Sequence, residues 1–335
     1  DMIGYLQIAL SGVCGVYFAV HGGFSLGNVL LFTTYTSMLT FPMRQLGRIL
    51  ADLGKADISL SRLEDILAVP AEAEPGKALT PQIDGSVAFE DVCFDYGDGV
   101  PVLSHVSCTV RPGQTIGILG STGAGKSSLV QLLQRLYPVT AGRITLSGVD
   151  VNDIERHHLR RNVGIVLQEP FLYSRTIGEN IAIARPDADL SDVYAAARTA
   201  SVHDVIESFS EGYDTVVGER GVTLSGGQMQ RVAIAGMLLQ DTPVLIFDDS
   251  LSAVDAETDA AIRDALHSRR HGTMFLISHR IATIRKSDLI LVLDKGRVVQ
   301  MGTHDTLAAQ EGLYRRVCAI QNELPQAASP KGGEA

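Results

Sequence analysis

Gly120-Ser-Thr-Gly-Ala-Gly125-Lys126-Ser127 fits the spacing G-x-x-x-x-G-K-[ST] of a phosphate-binding loop. Before it runs Thr115-Ile-Gly-Ile-Leu119, a short apolar run that predicts a buried strand. After it, residues 128–137 carry apolar side chains at helical spacing. Strand, glycine loop and helix is the context the motif needs. The glycines let backbone N–H groups turn inward around a polyphosphate, and the helix N-terminus adds the positive end of its dipole. In that arrangement Lys126 reaches the β- and γ-phosphates and the Ser127 hydroxyl ligates Mg²⁺.

The 335 residues suffice for one large domain or two, and 45% hydrophobic with 20% charged residues is the composition of a folded protein. A net charge of −10 argues against a general nucleic-acid surface. Cys14, Cys93, Cys108 and Cys318 form no C-x-x-C pair and no metal spacing, so they are expected to be ordinary thiols in a reducing compartment. The sequence opens inside an apolar run, with no basic n-region and no cleavage site of the signal-peptide kind.

Residues 2–43 contain no Asp, Glu, Lys or Arg. Such a stretch is about twice the ~20 residues that cross a bilayer as a helix. It breaks at His21-Gly-Gly-Phe-Ser-Leu-Gly-Asn28, which predicts two spans, 2–20 and 29–46, joined by a short external turn. Arg44, Arg48, Lys55 and Arg62 follow the second span and place that end in the cytoplasm. From 47 to 67 helical spacing continues with interleaved charge, so the second span is expected to run on as one long helix, with Pro42 as a candidate kink. Residues 70–84, with Pro70, Pro75, Gly76 and Pro81, are expected to be a linker.

Residues 85–321 alternate short apolar runs with helical patterns, which argues an α/β domain with a largely parallel core sheet. From 322 to 335 the composition predicts a disordered tail. Within the domain, Val244-Leu-Ile-Phe-Asp248-Asp249 is a buried strand ending in acids, 122 residues beyond Lys126. An acid there can hold Mg²⁺ through water beside the phosphates. Leu224-Ser225-Gly226-Gly227-Gln228 leads into a helical pattern, and fits either a second anion site or a serine-capped helix.

Together these motifs resemble, over residues 85–320, the nucleotide-binding domain of an ATP-binding cassette (ABC) transporter. Leu-Ser-Gly-Gly-Gln between the two nucleotide motifs is highly specific to that family. The resemblance implies an α/β P-loop NTPase with a parallel core sheet, a helical subdomain and a small antiparallel β subdomain. A transmembrane helical hairpin precedes it, as in exporter-type half-transporters. Those carry six spans, and the last two correspond to residues 1–69, so the sequence reads as a piece whose upstream part is missing.

The family's roles carry over as follows. Gly120, Ser121, Thr122, Gly123, Ala124, Gly125, Lys126, Ser127 and Ser128 hold ATP, and Tyr96 stacks on adenine. Gln168 contacts Mg²⁺ and the attacking water, and opens the segment 169–177 that receives the membrane domain's cytoplasmic loops. Glu219-Arg220-Gly221 is a second such contact. Ser225, Gly226, Gly227 and Gln228 complete the ATP site of a partner cassette packed head to tail. Ser252-Ala253-Val254-Asp255 crosses to that partner, and His279 contacts the γ-phosphate.

One position departs from the family. After Asp248, a metal ligand with Ser127 and Gln168, the usual general base is glutamate, and here it is Asp249. Aspartate is shorter by roughly 1.5 Å, and a misplacement near 1 Å costs on the order of 10²-fold in rate. The expected protein is therefore an ATP-hydrolysing exporter subunit of the plasma or inner membrane, with its cassette in the cytoplasm. Its own site is weakened, and its partner is a second half-transporter bearing the glutamate. A homodimeric lipid or drug exporter using Asp249 as base, a soluble ABC ATPase of nucleic-acid or ribosome processing, and an importer cassette are the alternatives. The charge-free segment speaks against the soluble reading, and the covalent join of spans to cassette against the importer.

Overall fold

A computed structural model describes residues 2–72, 77–218, 223–250, 258, 261–262 and 272–323, in two compact units, 1–73 and 74–335. The first unit is a helical hairpin. Helix α1 spans Met2–His21 and α2 spans Leu26–Leu67 as one continuous helix with Pro42 inside it. Ser25 caps α2, its Oγ accepting from the Asn28 N–H at 3.2 Å. Small residues let the two helices approach closely. A Cβ on Gly4 would lie 2.7 Å from Thr40, and one on Gly15 would lie 3.0 Å from Val29. Ser11 and Thr36 share a hydrogen bond of 3.2 Å across the pair.

Leu10, Val13, Phe18, Leu30, Phe32 and Phe41 point outward and are exposed in this unit. Among the described residues one helix, α1, is long and apolar enough to cross a membrane, with mean hydropathy 1.2 over Gly4–His21. The predicted second span, 29–46, falls below that measure, with Arg44 and Gln45 at its end and Thr33, Thr34, Thr36, Ser37 and Thr40 along it. The structure partly offsets this. Thr33, Thr34, Thr36 and Thr40 donate their hydroxyls to carbonyls four residues back at 2.8–2.9 Å, so these groups are satisfied within the helix.

Among its described residues the second unit contains two sheets. The strands are β1 Val87–Phe94, β2 Leu103–Val110, β3 Thr115–Gly120, β4 Ala141–Leu146, β5 Val149–Asp150, β6 Val163–Val166, β7 Val244–Asp248, β8 Thr273–Ile277, β9 Leu289–Asp294 and β10 Arg297–Gly302. A six-stranded sheet has the order β10-β9-β3-β8-β7-β6, parallel except for the β9–β10 hairpin. Its central strands β3 and β8 are buried at nearly every position, which is why they appear in the sequence as unbroken apolar runs. A four-stranded antiparallel sheet has the order β2-β1-β4-β5, and β2 alternates buried and open residues as a one-sided strand does. After α3, Lys126–Leu133, a helical layer built on α4 Ile177–Ile181, α5 Leu190–Thr199 and α6 Gly226–Leu239 packs Val193, Ala196, Ala197, Val232 and Ala235 into the core.

Two boundaries differ from expectation. The second half of the predicted linker is docked: Leu79 forms a parallel bridge with Ile154, Lys77 pairs with Asp153 at 2.7 Å, and His158 Nε2 meets the Pro81 carbonyl at 2.8 Å. The C-terminal helix runs Leu313–Glu323, past the predicted start of the tail, and residues 324–335 lie outside the described residues.

The two sheets meet through Phe89 of β1 and Phe275 of β8, whose rings sit edge to face at 6.4 Å and 81° with neither side chain open to solvent. Phe275→Ala leaves a cavity beneath both sheets and is expected to destabilise this unit by about 3–5 kcal/mol. Urea unfolding followed by tyrosine fluorescence measures it. A loss under about 1 kcal/mol would show that the sheets do not depend on this contact.

Candidate functional site

Strand β3 ends at Gly120, where a Cβ would fall 2.5 Å from the Leu293 carbonyl of neighbouring β9. Gly123 (φ +80°) and Gly125 (φ +93°) turn the loop through left-handed conformations that glycine adopts without penalty. Helix α3, Lys126–Leu133, starts directly from Gly125 with no side-chain cap, so its first N–H groups face the loop interior. The Lys126 ammonium folds back and donates to the carbonyls of Gly120 and Ser121, both at 2.9 Å. Burial pushes its pKa down, and the nearby carboxylates of Asp249 and Asp248 oppose that shift.

Asp248 closes β7 and is 5% exposed. Its Oδ1 accepts from Ser127 Oγ at 3.0 Å. Burial pushes the Asp248 carboxyl upward, and the charge of Asp249 adds to this against the opposing Ser127 bond and Lys126 charge. A divalent cation would relieve that cost, and Ser127 with Asp248 offers the hard oxygen donors Mg²⁺ prefers. Among the described residues no three His, Cys, Asp or Glu side chains gather as a metal site, so phosphate and water oxygens must complete such a shell.

Asp248 pairs in register with Ile277 of β8, and Ile277 with Ile118 of β3. The loops after β3, β6, β7 and β8 therefore leave the same C-terminal edge of the parallel sheet, where open α/β sheets bind ligands. Asp249 has φ +47°, with its N–H donated to the Ile277 carbonyl at 3.0 Å. Its Oδ2 lies 3.2 Å from Nδ1 of the exposed His279. A carboxylate only accepts, so Nδ1 carries the proton and Nε2 faces away from Asp249. Gln168 lies two residues past the end of β6 with its side chain exposed, and its carbonyl accepts from Gln230 Nε2 at 3.3 Å.

Tyr96 is 52% exposed and its OH meets Ser128 Oγ at 2.9 Å. Phe94 and Tyr137 hold its ring edge-on at 4.8 Å and 5.1 Å. Ser128 is thus tied to Tyr96 and is itself buried.

Ser225 caps α6 in a reciprocal box. Its Oγ accepts from the Gln228 N–H at 3.3 Å, and Gln228 Oε1 accepts from the Ser225 N–H at 2.9 Å. The capped-helix reading is therefore realised, while Ser225 and Gly226 stay exposed. The side-chain bonds of Ser225 and Gln228 close on each other rather than on the phosphate loop. Glu219-Arg220-Gly221 and Ser252-Ala253-Val254-Asp255 lie outside the described residues. One residue that touches this region carries no sequence signal. Gln321 of the C-terminal helix bonds the His279 carbonyl from 42 positions away.

An ABC transporter domain profile matches residues 103–252. YgaD of Bacillus subtilis (strain 168), an ATP-binding/permease protein named for multidrug export, is 41% identical over 92% of this chain and 54% of its own length. The α-hemolysin translocation ATP-binding protein HlyB of Escherichia coli is 37% identical over 92% of this chain and 44% of its own length. A solved structure of a bacterial Atm1-family ABC exporter with ATP bound superposes with a TM-score of 0.75 at 36% identity, covering 96% of this chain and 57% of that one. The chain spans about half the length of the curated relatives it matches. With the phosphate loop, the acid-ended β7 and the Leu224–Gln228 motif on one α/β frame, these matches make the chain a member of the ABC transporter family.

Proposed function

We propose that this chain is the ATP-binding and ATP-hydrolysing part of an ABC exporter subunit embedded in the plasma or inner membrane, with the cassette in the cytoplasm. The observation that carries it is one sheet edge bearing Gly120–Ser127, the Ser127–Asp248 contact and the Asp249–His279 pair. Gly120 to Ser128 hold the phosphates of ATP, and Tyr96 offers an aromatic face for adenine. Ser127 and Asp248, with Gln168, would hold Mg²⁺, which when bound would supply charge neutralisation for the phosphoryl group. Lys126 balances the same charge, His279 orients the γ-phosphate through Nε2, and Asp249 stands at the general-base position one methylene short of the attacking water, so that hydrolysis at this site is slow.

The exposed Ser225 and Gly226, with Gly227 and Gln228, serve a second cassette in a head-to-tail dimer, with Asp255 at the crossing. Asp249 favours a partner half-transporter that carries glutamate. ATP binding closes the dimer, and the segment 168–177 and α2 pass the movement to the membrane. The exposed apolar faces of α1 and α2 favour this reading over a soluble ABC ATPase. The transported substrate is chosen by the membrane helices, since relatives of this cassette are named for drugs, a glucan and a protein toxin.

Membrane fractionation of the full-length protein, with ATP affinity measured on the extracted transporter, tests the reading. The protein is expected in the integral-membrane fraction. Tyr96→Ala should weaken ATP about tenfold while Tyr96→Phe stays within about twofold, since the ring face and not the hydroxyl makes the contact. Recovery in the soluble fraction, or ATP affinity indifferent to Tyr96→Ala, would count against it.

A further inference from the structure

The C-terminal helix Leu313–Glu323 reaches the loop that carries His279. Tyr314, fully buried, anchors its start. Its OH meets His304 Nδ1 at 2.8 Å, and its N–H donates to Gln300 Oε1 at 3.0 Å. Seven residues on, two turns along the same face, stands Gln321. Its amide spans Arg280 on both sides. Nε2 donates to the His279 carbonyl at 2.7 Å, and Oε1 accepts from the Ile281 N–H at 2.8 Å. These two partners fix which way the amide points, because a carbonyl needs the NH₂ and an N–H needs the oxygen.

The contact also fills a gap left by the local sequence. Helix Ile281–Ile284 begins at Arg280, which gives it no side-chain cap. The first N–H of a helix has no partner of its own, and Gln321 supplies one from forty residues away. Upstream, the buried Ser278 donates its N–H to the Ile118 carbonyl at 3.2 Å and accepts from the Arg280 N–H at 3.0 Å. The His279 side chain thus reaches out toward Asp249, while its own carbonyl is held from behind by Gln321.

We infer that Gln321 is a positioning residue for His279, and that the C-terminal helix is a working part of the hydrolysis site. This rests on the role for His279 given above. The Gln321 bonds set where the His279 backbone sits, and the Asp249 bond sets the ring. Loss of the first leaves the imidazole free to follow its loop away from the phosphate, and a displacement near 1 Å is costly in rate.

The experiment uses the full-length transporter with Gln321→Met, which keeps the length of the side chain and removes both bonds, alongside His279→Ala and the double variant. Amide exchange over residues 279–284 should rise about tenfold in Gln321→Met, with strand β8 unchanged. kcat for ATP at this chain's site should fall about fivefold to tenfold with KM within about twofold. In the His279→Ala background, adding Gln321→Met should change kcat no further. Unchanged exchange at Ile281, or additive losses in the double variant, would overturn the inference. If His279→Ala alone leaves hydrolysis intact, the proposed role of His279 falls and this one with it, whereas raised exchange at Ile281 still identifies the clamp.

Discussion

Lys126→Ala is expected to lower ATP affinity at this chain's own site by about tenfold to a hundredfold, and hydrolysis there by about 10²–10³-fold. The ammonium is half-buried beside Asp248 and Asp249, and its two hydrogen bonds run to the carbonyls of its own loop. Those bonds hold the charge in the cradle at the mouth of α3, where backbone N–H groups already converge. In water such a charge would count for little, but in a partly desolvated site a charge-assisted bond to phosphate is worth about 1.5–3 kcal/mol in binding. It is worth more on the spreading charge of phosphoryl transfer, because a preorganised donor typically contributes 10²–10³ in rate.

The fold should survive the change. Ser121 is exposed, so its carbonyl can turn to water, and Gly120 keeps its place in β3 through the register with β9. Photolabelling with an azido-ATP, read on this chain separately from its partner, measures the effect, and an unchanged thermal midpoint controls for unfolding. Labelling and hydrolysis within about threefold of the unaltered protein would mean that Gly120–Ser127 is not the phosphate site. Lys126→Arg should not rescue it, since a planar guanidinium is a different donor from the compact ammonium the loop encloses.

Much of this site was legible because its parts are local. A loop of eight residues between an apolar strand and a helix announces its backbone geometry, and Gly125 at φ +93° and Gly120 against the Leu293 carbonyl are the reasons glycine stands there. The parallel strands were legible because burial on both faces leaves no polar position in Ile116-Gly-Ile-Leu119 or Met274-Phe-Leu-Ile277. Strand β10 was not, since Arg297, Gln300 and Gly302 break the apolar signal on a strand that, among the described residues, lies at the sheet edge beside β9. Lys77 to Pro81 has the composition of a linker, yet its backbone pairs with residues 153–155, a contact that no local pattern encodes. The same holds for Gln321, a glutamine on a helix face with nothing nearby in sequence to mark the His279 carbonyl as its partner. Leu224–Gln228 shows the reverse. Its sequence admitted a capped helix and an anion site alike, and the Ser225–Gln228 box satisfies the first while leaving Ser225 and Gly226 open to a second chain.

Asp249→Glu is expected to raise ATP hydrolysis at this chain's site by about tenfold to a hundredfold. Asp249→Asn should leave the assembled transporter's total turnover within about threefold. In the proposed unequal pair, the backbone is the reason aspartate does not compensate for its length. Asp249 is pinned at φ +47°, its N–H committed to the Ile277 carbonyl at 3.0 Å at the end of the β7–β8 register. The main chain therefore does not advance to return the missing ~1.5 Å, and only a longer side chain does. The aspartate is also engaged elsewhere, with Oδ2 3.2 Å from the His279 Nδ1 proton. That contact holds the imidazole with Nε2 turned away from Asp249, which in the proposed site is toward the γ-phosphate, and on the same proposal the short carboxylate stops before the water. Glutamate at the same backbone position extends one methylene past this point and can meet an attacking water directly. Asparagine keeps an acceptor oxygen for His279 but holds no proton-accepting charge, so it separates the two roles. If Asp249→Asn abolishes total turnover, Asp249 is a working base, and a homodimer hydrolysing at both sites replaces the unequal pair. If it leaves turnover standing while Asp249→Glu accelerates the site, this chain's phosphate loop holds ATP in place. The faster hydrolysis then belongs where Ser225–Gln228 meets the partner's loop.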